Sequence, residues 1–219
     1  MGPVALSVVL ATVTTVILLV LATPLAWWLS RTRSRTKPVI EAITALPLVL
    51  PPTVLGFYLL ILMSPNSALG GLWLTITGDT LTFSFWGLVI ASCLYSLPFA
   101  VQPLQAAFEK VPHSLMEAAA SLRATPLDAF ATVAMPNARR GFVTAAVLSF
   151  AHTLGEFGVV LMVGGNIPGR TQVISIAIYE HVETLNYSAA HWLAGGMLLF
   201  SLAVLVLVYG LNRQAARDG

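Results

Sequence analysis

The sequence predicts an all-α integral membrane protein with about five transmembrane helices and a short polar helix pair between the third and fourth. Three observations carry this expectation. Of the 219 residues, 57% are hydrophobic and only 9% are charged, whereas an ordinary soluble domain has about 25% charged residues. The apolar residues gather in runs of about twenty or more, the length a helix needs to cross a bilayer. A single polar stretch, residues 109–141, interrupts those runs.

The first span, residues 3–30, carries no charge. It lacks a basic leader, is too long for a cleavable signal, and is followed by Arg31, Arg33, Arg35 and Lys37, so it reads as a retained helix with a stop-transfer flank. The second, about 40–63, contains Pro47, Pro51 and Pro52. Each proline removes a backbone donor, which a bilayer tolerates only where protein or a cavity satisfies the freed carbonyl. A bent, pore-lining gate helix and a static kink in a packed bundle both fit that pattern. The third span, about 84–107, is uncharged and holds the lone Cys93, which reads as a small buried hydrophobe. The fourth, about 140–163, is apolar except for His152 and Glu156, and the fifth, about 190–211, has only His191 near its start. Residues 173–179 are too short to cross and are followed by Glu180 and Glu183, the pattern of an interfacial or re-entrant helix. The whole chain, 1–219, is one membrane domain on this reading.

Charge asymmetry sets the orientation. The stretch 31–38 holds four basic residues, the stretch 107–140 holds Lys110, Arg123, Arg139 and Arg140, and the tail holds Arg213 and Arg217; the opposite loops, 64–83 and 164–189, hold only Arg170. The N-terminus is therefore expected outside, with the 109–138 segment and the C-terminus in the cytoplasm. Trp27, Trp28, Trp192 and Tyr209 fall near the span ends, where aromatic belts form.

Two helix starts are written into the polar segment. Ser114 and Glu117 have capping-box spacing, in which the hydroxyl accepts from the backbone and the carboxylate reaches back to the cap. Thr125, Pro126 and Asp128 form a second start, with proline where its missing N–H costs nothing. Pro136 is expected to end that helix. Two short helices between spans make a surface suited to a soluble partner.

Several chemistries are excluded. Neither lysine, Lys37 or Lys110, follows a glycine-rich phosphate loop, so the chain binds no nucleotide in P-loop fashion. His152 and Glu156 do not form a zinc-protease motif, no Cys/His cluster has metal-ligand spacing, and no GxSxG is present. The chain is read as no enzyme, with no cofactor of its own and no nucleic-acid partner. The residues alone leave a transport component, a membrane scaffold that recruits a cytosolic partner, and, less well supported, an ion-coupled transporter.

The polar segment resembles the cytoplasmic signature of the permeases of bacterial ATP-driven importers: Glu117-Ala118-Ala119, then Phe130, Val133, Met135 and Pro136. Further stretches narrow the likeness. ALPLVLPPTVLG (45–56), residues 84–111 and LGEFGVVLMVGGNIPGRTQVISIAIY (154–179) are similar to the molybdate and sulfate class, and GEFG with NIPGxT favours molybdate. The resemblance implies the type I ABC importer permease fold, a homodimer in the bacterial inner membrane, and a coupling-helix pair (Glu117, Ala118, Ala119, Arg123, Pro136) seated on two copies of an ATP-binding subunit that holds ATP and Mg. It also implies an extracytoplasmic molybdate-binding protein that meets the turn at Asn166, Pro168 and Arg170. Sulfate, thiosulfate and tungstate are the alternative substrates. One residue departs from the family pattern: Arg123 stands where the signature has glycine. It must take a different turn or accept the left-handed conformation at a cost of about 1–2 kcal/mol.

The candidate pathway and gate residues are Pro47, Pro51, Pro52, Thr53, Ser149, Thr153, Gly155 and Glu156, with Thr44 as a further polar lining group. Glu156 is the acidic residue deep in a span, where an ionised carboxylate costs at least about 2.5–3.5 kcal/mol. It is expected to pair with His152, or to accept backbone N–H bonds at a break near Gly155 and Gly158.

Overall fold

The computed structural model describes residues 1–217, with the side chains of 207–209 and 211–217 omitted; the proposed belt position of Tyr209 and the charges of Arg213 and Arg217 lie outside the described residues. Among the described residues every regular element is a helix. Helix α1, Pro3–Arg31, begins with proline at its first turn and buries a stripe at helical spacing, Leu10, Ala11, Thr14, Leu18, Ala22, Ala26 and Leu29. Small residues in such a stripe let a neighbouring backbone approach closely.

The second apolar run is broken rather than merely kinked. Helix α2, Lys37–Ala45, runs into a single 3-10 turn at Leu46–Leu48, and α3, Pro52–Met63, leaves at 105° to it. Pro51 is extended at the N-cap of α3 and Pro52 occupies its first position. Two successive residues without N–H groups stop one helix and start the next. Helix α4, Ala68–Thr77, is an element the hydropathy reading does not anticipate: Ser67 caps it by accepting from the Gly70 amide at 2.9 Å, and Gly78, at φ 74°, ends it. Helix α5, Phe85–Glu109, is capped by Ser84 and is continuous through Pro98 and Pro103.

The polar segment follows as α6, His113–Ser121; α7, Pro126–Ala129; a π-helical turn, Phe130–Ala134; and α8, Met135–Asn137. The fourth apolar run is again broken: α9, Arg139–Gly155, and α10, Gly158–Gly164, meet at 61°. Helix α11, Ile174–Glu183, tucks Ile174, Ile176 and Ala177 into the bundle, and its first amide N–H donates to the Ser7 hydroxyl of α1 at 2.8 Å. Helix α12, Tyr187–Arg217, lies against the outside, with little of the apolar surface of Tyr187–Val206 covered. Among the described residues, three helices are long and apolar enough to cross a membrane unbroken, and the two bent pairs bring the number to five.

Helices α1, α5 and α9 form the central packing unit, and α3 lies on α10. The α5–α9 crossing depends on Gly141. A Cβ placed there would lie 2.3 Å from that of Ala107 and 3.1 Å from the Pro103 carbonyl oxygen. Gly141→Val is therefore expected to force the two helices apart and lower stability by about 1–3 kcal/mol, read as an earlier thermal unfolding transition in detergent.

Candidate functional site

Two regions stand out. The first is the polar segment at one end of the bundle. Helix α6 starts at His113 with Pro112 at the N-cap, so Ser114 lies inside the first turn and makes no cap bond. The capping box read from the sequence is therefore not formed. Glu117 instead lies 3.7 Å from His113 Nδ1, and both side chains are largely exposed. Arg123 takes the left-handed conformation, φ 61°. Its N–H donates to the Ala120 carbonyl at 2.9 Å, and that of Ala124 to Ala119 at 3.1 Å. This pair of bonds is the Schellman arrangement that usually has glycine at the left-handed position. Arg123 accepts the strain because both bonds satisfy carbonyls that the helix end would otherwise leave open.

The second helix start forms as the sequence indicates. Thr125 is the N-cap, its hydroxyl accepts from the Asp128 amide at 3.2 Å, and Pro126 follows. Pro136, however, does not end the helix. It sits inside α8, and the turn before it widens to π geometry, with the Met135 amide bonded to the Phe130 carbonyl. The Asn137 amide group takes up the Val133 carbonyl at 2.7 Å. The helix is capped only at Ala138, beyond the proline.

This segment is bolted to the bundle by aromatic packing. Trp27 of α1 makes edge contacts with Phe108 and Phe130, each with ring centroids 5.2 Å apart. Phe142 of α9 closes on Phe108 at 5.9 Å. The Arg31 guanidinium lies 4.7 Å from the Trp27 ring centroid and donates to the Val111 carbonyl at 3.2 Å. Trp27 is thus a packing residue of the junction, where the belt explanation would have placed it at the lipid boundary. Ala119, Ala129, Ala134 and Ala138 face inward, while Glu117, Ala118, Arg123 and Pro136 face out. Leu122 and Leu127, 84% and 76% exposed, stand on the same segment. They form an exposed apolar ridge on its outer side. The sequence reading passed over these two leucines, whose only signal is that the polar segment carries no deeper core for them to join.

The second region is a cavity of about 550 Å³ at the break between α9 and α10. Pro52 and Thr53 of α3, Tyr95 of α5, and His152, Gly155, Glu156 and Gly158 line it. Gly158 permits α10 to abut α3, since a Cβ there would lie 2.7 Å from that of Pro52. Four candidate pathway residues, Pro52, Thr53, Gly155 and Glu156, therefore converge. Thr153 stands behind the lining, with its hydroxyl 3.0 Å from that of Ser96. Pro47 lies in the 3-10 turn, Pro51 is at the exposed cap of α3, Ser149 is buried without a hydrogen-bond partner, and Thr44 bonds back to the Glu41 carbonyl at 2.9 Å; none of the four lines the cavity.

His152 does not pair with Glu156. Its Nδ1 lies 2.8 Å from the Ser96 hydroxyl, and its ring stacks on Phe99 with centroids 4.0 Å apart. Glu156 is buried and neither carboxyl oxygen has a hydrogen-bond partner. The Ser92 hydroxyl comes within electrostatic reach but makes no bond of proper geometry. The break itself is pinned from outside, where the Ser175 hydroxyl of α11 donates to the Glu156 backbone carbonyl. Ser92, Tyr95, Ser96 and Phe99 fall on one face of α5 at helical spacing. The sequence reading passed over these four, and that polar–aromatic stripe is the signal that could have found them.

At the far end of the bundle, Arg170 pairs with Asp79 at 2.6 Å and Asn166 donates to Glu180 at 2.8 Å, while Pro168 lies exposed between them. Two separate loops are knitted together there.

Residues 19–217 match the model of the binding-protein-dependent transport system inner membrane component family. The chain is 57% identical over 216 residues to the molybdenum transport system permease protein ModB of Azotobacter vinelandii, covering 99% of this chain and 96% of that one. It is 33% identical over 195 residues to the sulfate transport system permease protein CysT of Escherichia coli, covering 89% of this chain and 69% of that relative. Among solved structures, a bacterial alginate ABC transporter in complex with an alginate pentasaccharide-bound periplasmic protein matches with a TM-score of 0.68 at 18% identity, over 99% of this chain and 78% of that one. At that identity the likeness speaks to the fold.

The left-handed residue has a measurable consequence. Arg123→Gly should stabilise the turn after α6 by about 0.5–1 kcal/mol, the relieved strain less glycine's extra backbone entropy, seen as slower hydrogen exchange at residues 121–124. Thr125→Ala should loosen the next turn by about 1 kcal/mol in the same measurement.

Proposed function

We propose a function from one premise, that this chain belongs to the family of binding-protein-dependent transport system inner membrane components. It is a multi-pass inner-membrane permease of an ATP-driven importer, and molybdate is its substrate. The observation that carries the substrate is the near full-length likeness to a molybdenum permease, well above the likeness to sulfate permeases. Tungstate, sulfate and thiosulfate share the tetrahedral dianionic shape and are the competitors to test.

The finer assignments follow from geometry and charge. The basic residues cluster at the end that bears the α6–α8 segment, so that end faces the cytoplasm and the N-terminus lies outside. The five crossings of the 1–219 domain are α1, the α2–α3 pair, α5, the α9–α10 pair and α12. The segment carries no nucleotide-binding loop, and its outward ridge of Glu117, Ala118, Arg123, Leu122 and Leu127 seats in an ATP-binding subunit that holds ATP and Mg. Two copies of the permease, each with one such subunit, enclose the path about a two-fold axis. The loops around Asn166, Pro168 and Arg170 receive the extracytoplasmic binding protein.

The mechanical link is α9. It leaves the segment at Arg139 and ends at Gly155 on the cavity, a rod of about 25 Å at 1.5 Å per residue. A tilt imposed on the segment is carried by the Trp27–Phe108–Phe130–Phe142 packing into α1, α5 and α9 together. Its far end moves Gly155 and Glu156 against Pro52 and Thr53, where α3 begins. The cavity offers hydroxyl and imidazole groups, the Glu156 carboxyl and no fixed cation, a lining that does not hold a dianion tightly.

In a reconstituted complex, ATP-dependent uptake of molybdate should resist excess sulfate and yield to tungstate; equal competition by sulfate overturns the substrate assignment. Glu117→Lys should cut uptake at least tenfold and abolish stimulation of ATP hydrolysis by loaded binding protein, with unchanged uptake counting against the docking role. Glu156→Gln should reduce uptake several-fold with the complex still assembled, and wild-type transport would remove the carboxyl from the gate.

A further inference from the structure

Helix α2 carries its polar side inward. Val39 and Ile43, 60% and 62% exposed, face away from the bundle, whereas Lys37 and Glu41 meet the end of α5. There the Gln105 amide nitrogen donates to Glu41 Oε1 at 2.7 Å and to Glu109 Oε1 at 3.0 Å. Both of its hydrogens are used, one for each carboxylate. The Lys37 ammonium lies 3.7 Å and 3.8 Å from the same two oxygens. One cation and one amide thus clasp two carboxylates from different helices. A lone half-exposed ion pair contributes little, but a bridged network of charges is the exception. Ile40 adds an apolar contact, against the core cluster that includes Leu104 and Phe108.

The clasp stands between the two regions already described. Three residues separate Glu109, the last of α5, from His113, the first of α6. Arg31 of α1 holds that short connection from the other side through the Val111 carbonyl. From its own far end, α2 runs through the 3-10 turn at Leu46–Leu48 to Pro52, which lines the cavity at the start of α3. Helix α9 reaches the same cavity from the opposite wall.

We propose that Lys37, Glu41, Gln105 and Glu109 are positioning residues for transport, a second mechanical link beside α9. The inference rests on the transport reading above. The clasp fixes α2 to the exit of α5, so a displacement of the polar segment reaches Pro52 on the α3 wall as well as Gly155 and Glu156 on the α9 wall. None of the four residues lines the cavity, and their influence on it runs through the placement of α2. With the clasp open, α9 still responds to the segment while the α3 wall does not follow. ATP hydrolysis then proceeds with less passage of substrate.

The readout is the number of ATP molecules hydrolysed per molybdate taken up, measured on the permease reconstituted in vesicles with its ATP-binding subunit and loaded binding protein. Lys37→Glu, which brings three carboxylates together, should raise this ratio about fivefold, and Gln105→Met, which keeps the side-chain length but removes both donated bonds, about threefold. Combining Lys37→Glu with Glu109→Lys again places one cation beside two carboxylates, and the ratio should return to within about twofold of the unsubstituted value. A clasp that only holds the fold together would lower the yield of assembled complex and leave the ratio unchanged in what assembles. That result overturns the proposal, as does a charge-swapped complex no better coupled than Lys37→Glu alone. An unsubstituted complex that takes up no molybdate overturns the transport reading and this inference together, whereas normal uptake with unchanged ratios in the variants overturns this inference alone.

Discussion

The position of Trp27 governs what the polar segment can do. Its ring contacts Phe108 at the end of α5 and Phe130 in the π turn, and Arg31 lies over it while holding the Val111 carbonyl. Helices α1 and α5 and the segment meet at that one side chain, and Phe142 of α9 joins them through Phe108. Edge-to-face aromatic packing of this kind contributes about 0.5–1.5 kcal/mol per pair beyond area burial, and a buried aromatic cluster resists shear because interiors are close-packed. A segment held only by its two chain connections would flex under load. Seated on this cluster it is packed against α1, α5 and, through Phe108, α9.

Two broken helices then define the other end of the same unit. Inside a bilayer, backbone irregularity survives only where protein or a cavity satisfies the freed groups. Both breaks obey this rule and face one another. Pro51 and Pro52 start α3 on one side of the cavity, and Glu156 and Phe157 separate α9 from α10 on the other. Ser175 donates to the Glu156 carbonyl, so one open backbone acceptor is met by a helix that does not itself cross. The Glu156 carboxyl remains without a partner. Such a group is costly to keep, and it is kept at the edge of the cavity between the two breaks.

The parts of the site that were legible in the sequence were those governed by local backbone chemistry. Thr125 with Pro126 forms the cap that its residue types dictate. Arg123 adopts the left-handed turn that the glycine of the family pattern would occupy. Gly155 and Gly158 bracket a real break. Where a local signal failed, a neighbour outweighed it. Ser114 has cap chemistry, but Pro112 takes the N-cap and the helix starts two residues earlier than a Ser114 cap would set it. Pro136 has breaker chemistry, but a π turn absorbs its missing donor and Asn137 covers a nearby carbonyl. His152 and Glu156 lie one turn apart, and yet the Ser96 hydroxyl and the Phe99 face of α5 claim the imidazole.

By itself, the sequence determined that the chain is helical and membrane-embedded, which end bears the positive charge, and where the polar segment, its second cap and the helix breaks lie. Those features depend on hydropathy, charge counts and φ restrictions, which act over a few residues or sum along a span. Tertiary structure alone decided that Pro52 and Glu156 share a cavity, that Trp27 packs into the junction, and that Lys110, Arg140 and Thr144 line one pocket. Each of these joins residues far apart in the chain, and their meeting depends on how closely helices cross. That distance is set at points such as Gly141 against Ala107, where the absence of one side chain matters only once the opposing helix is in place.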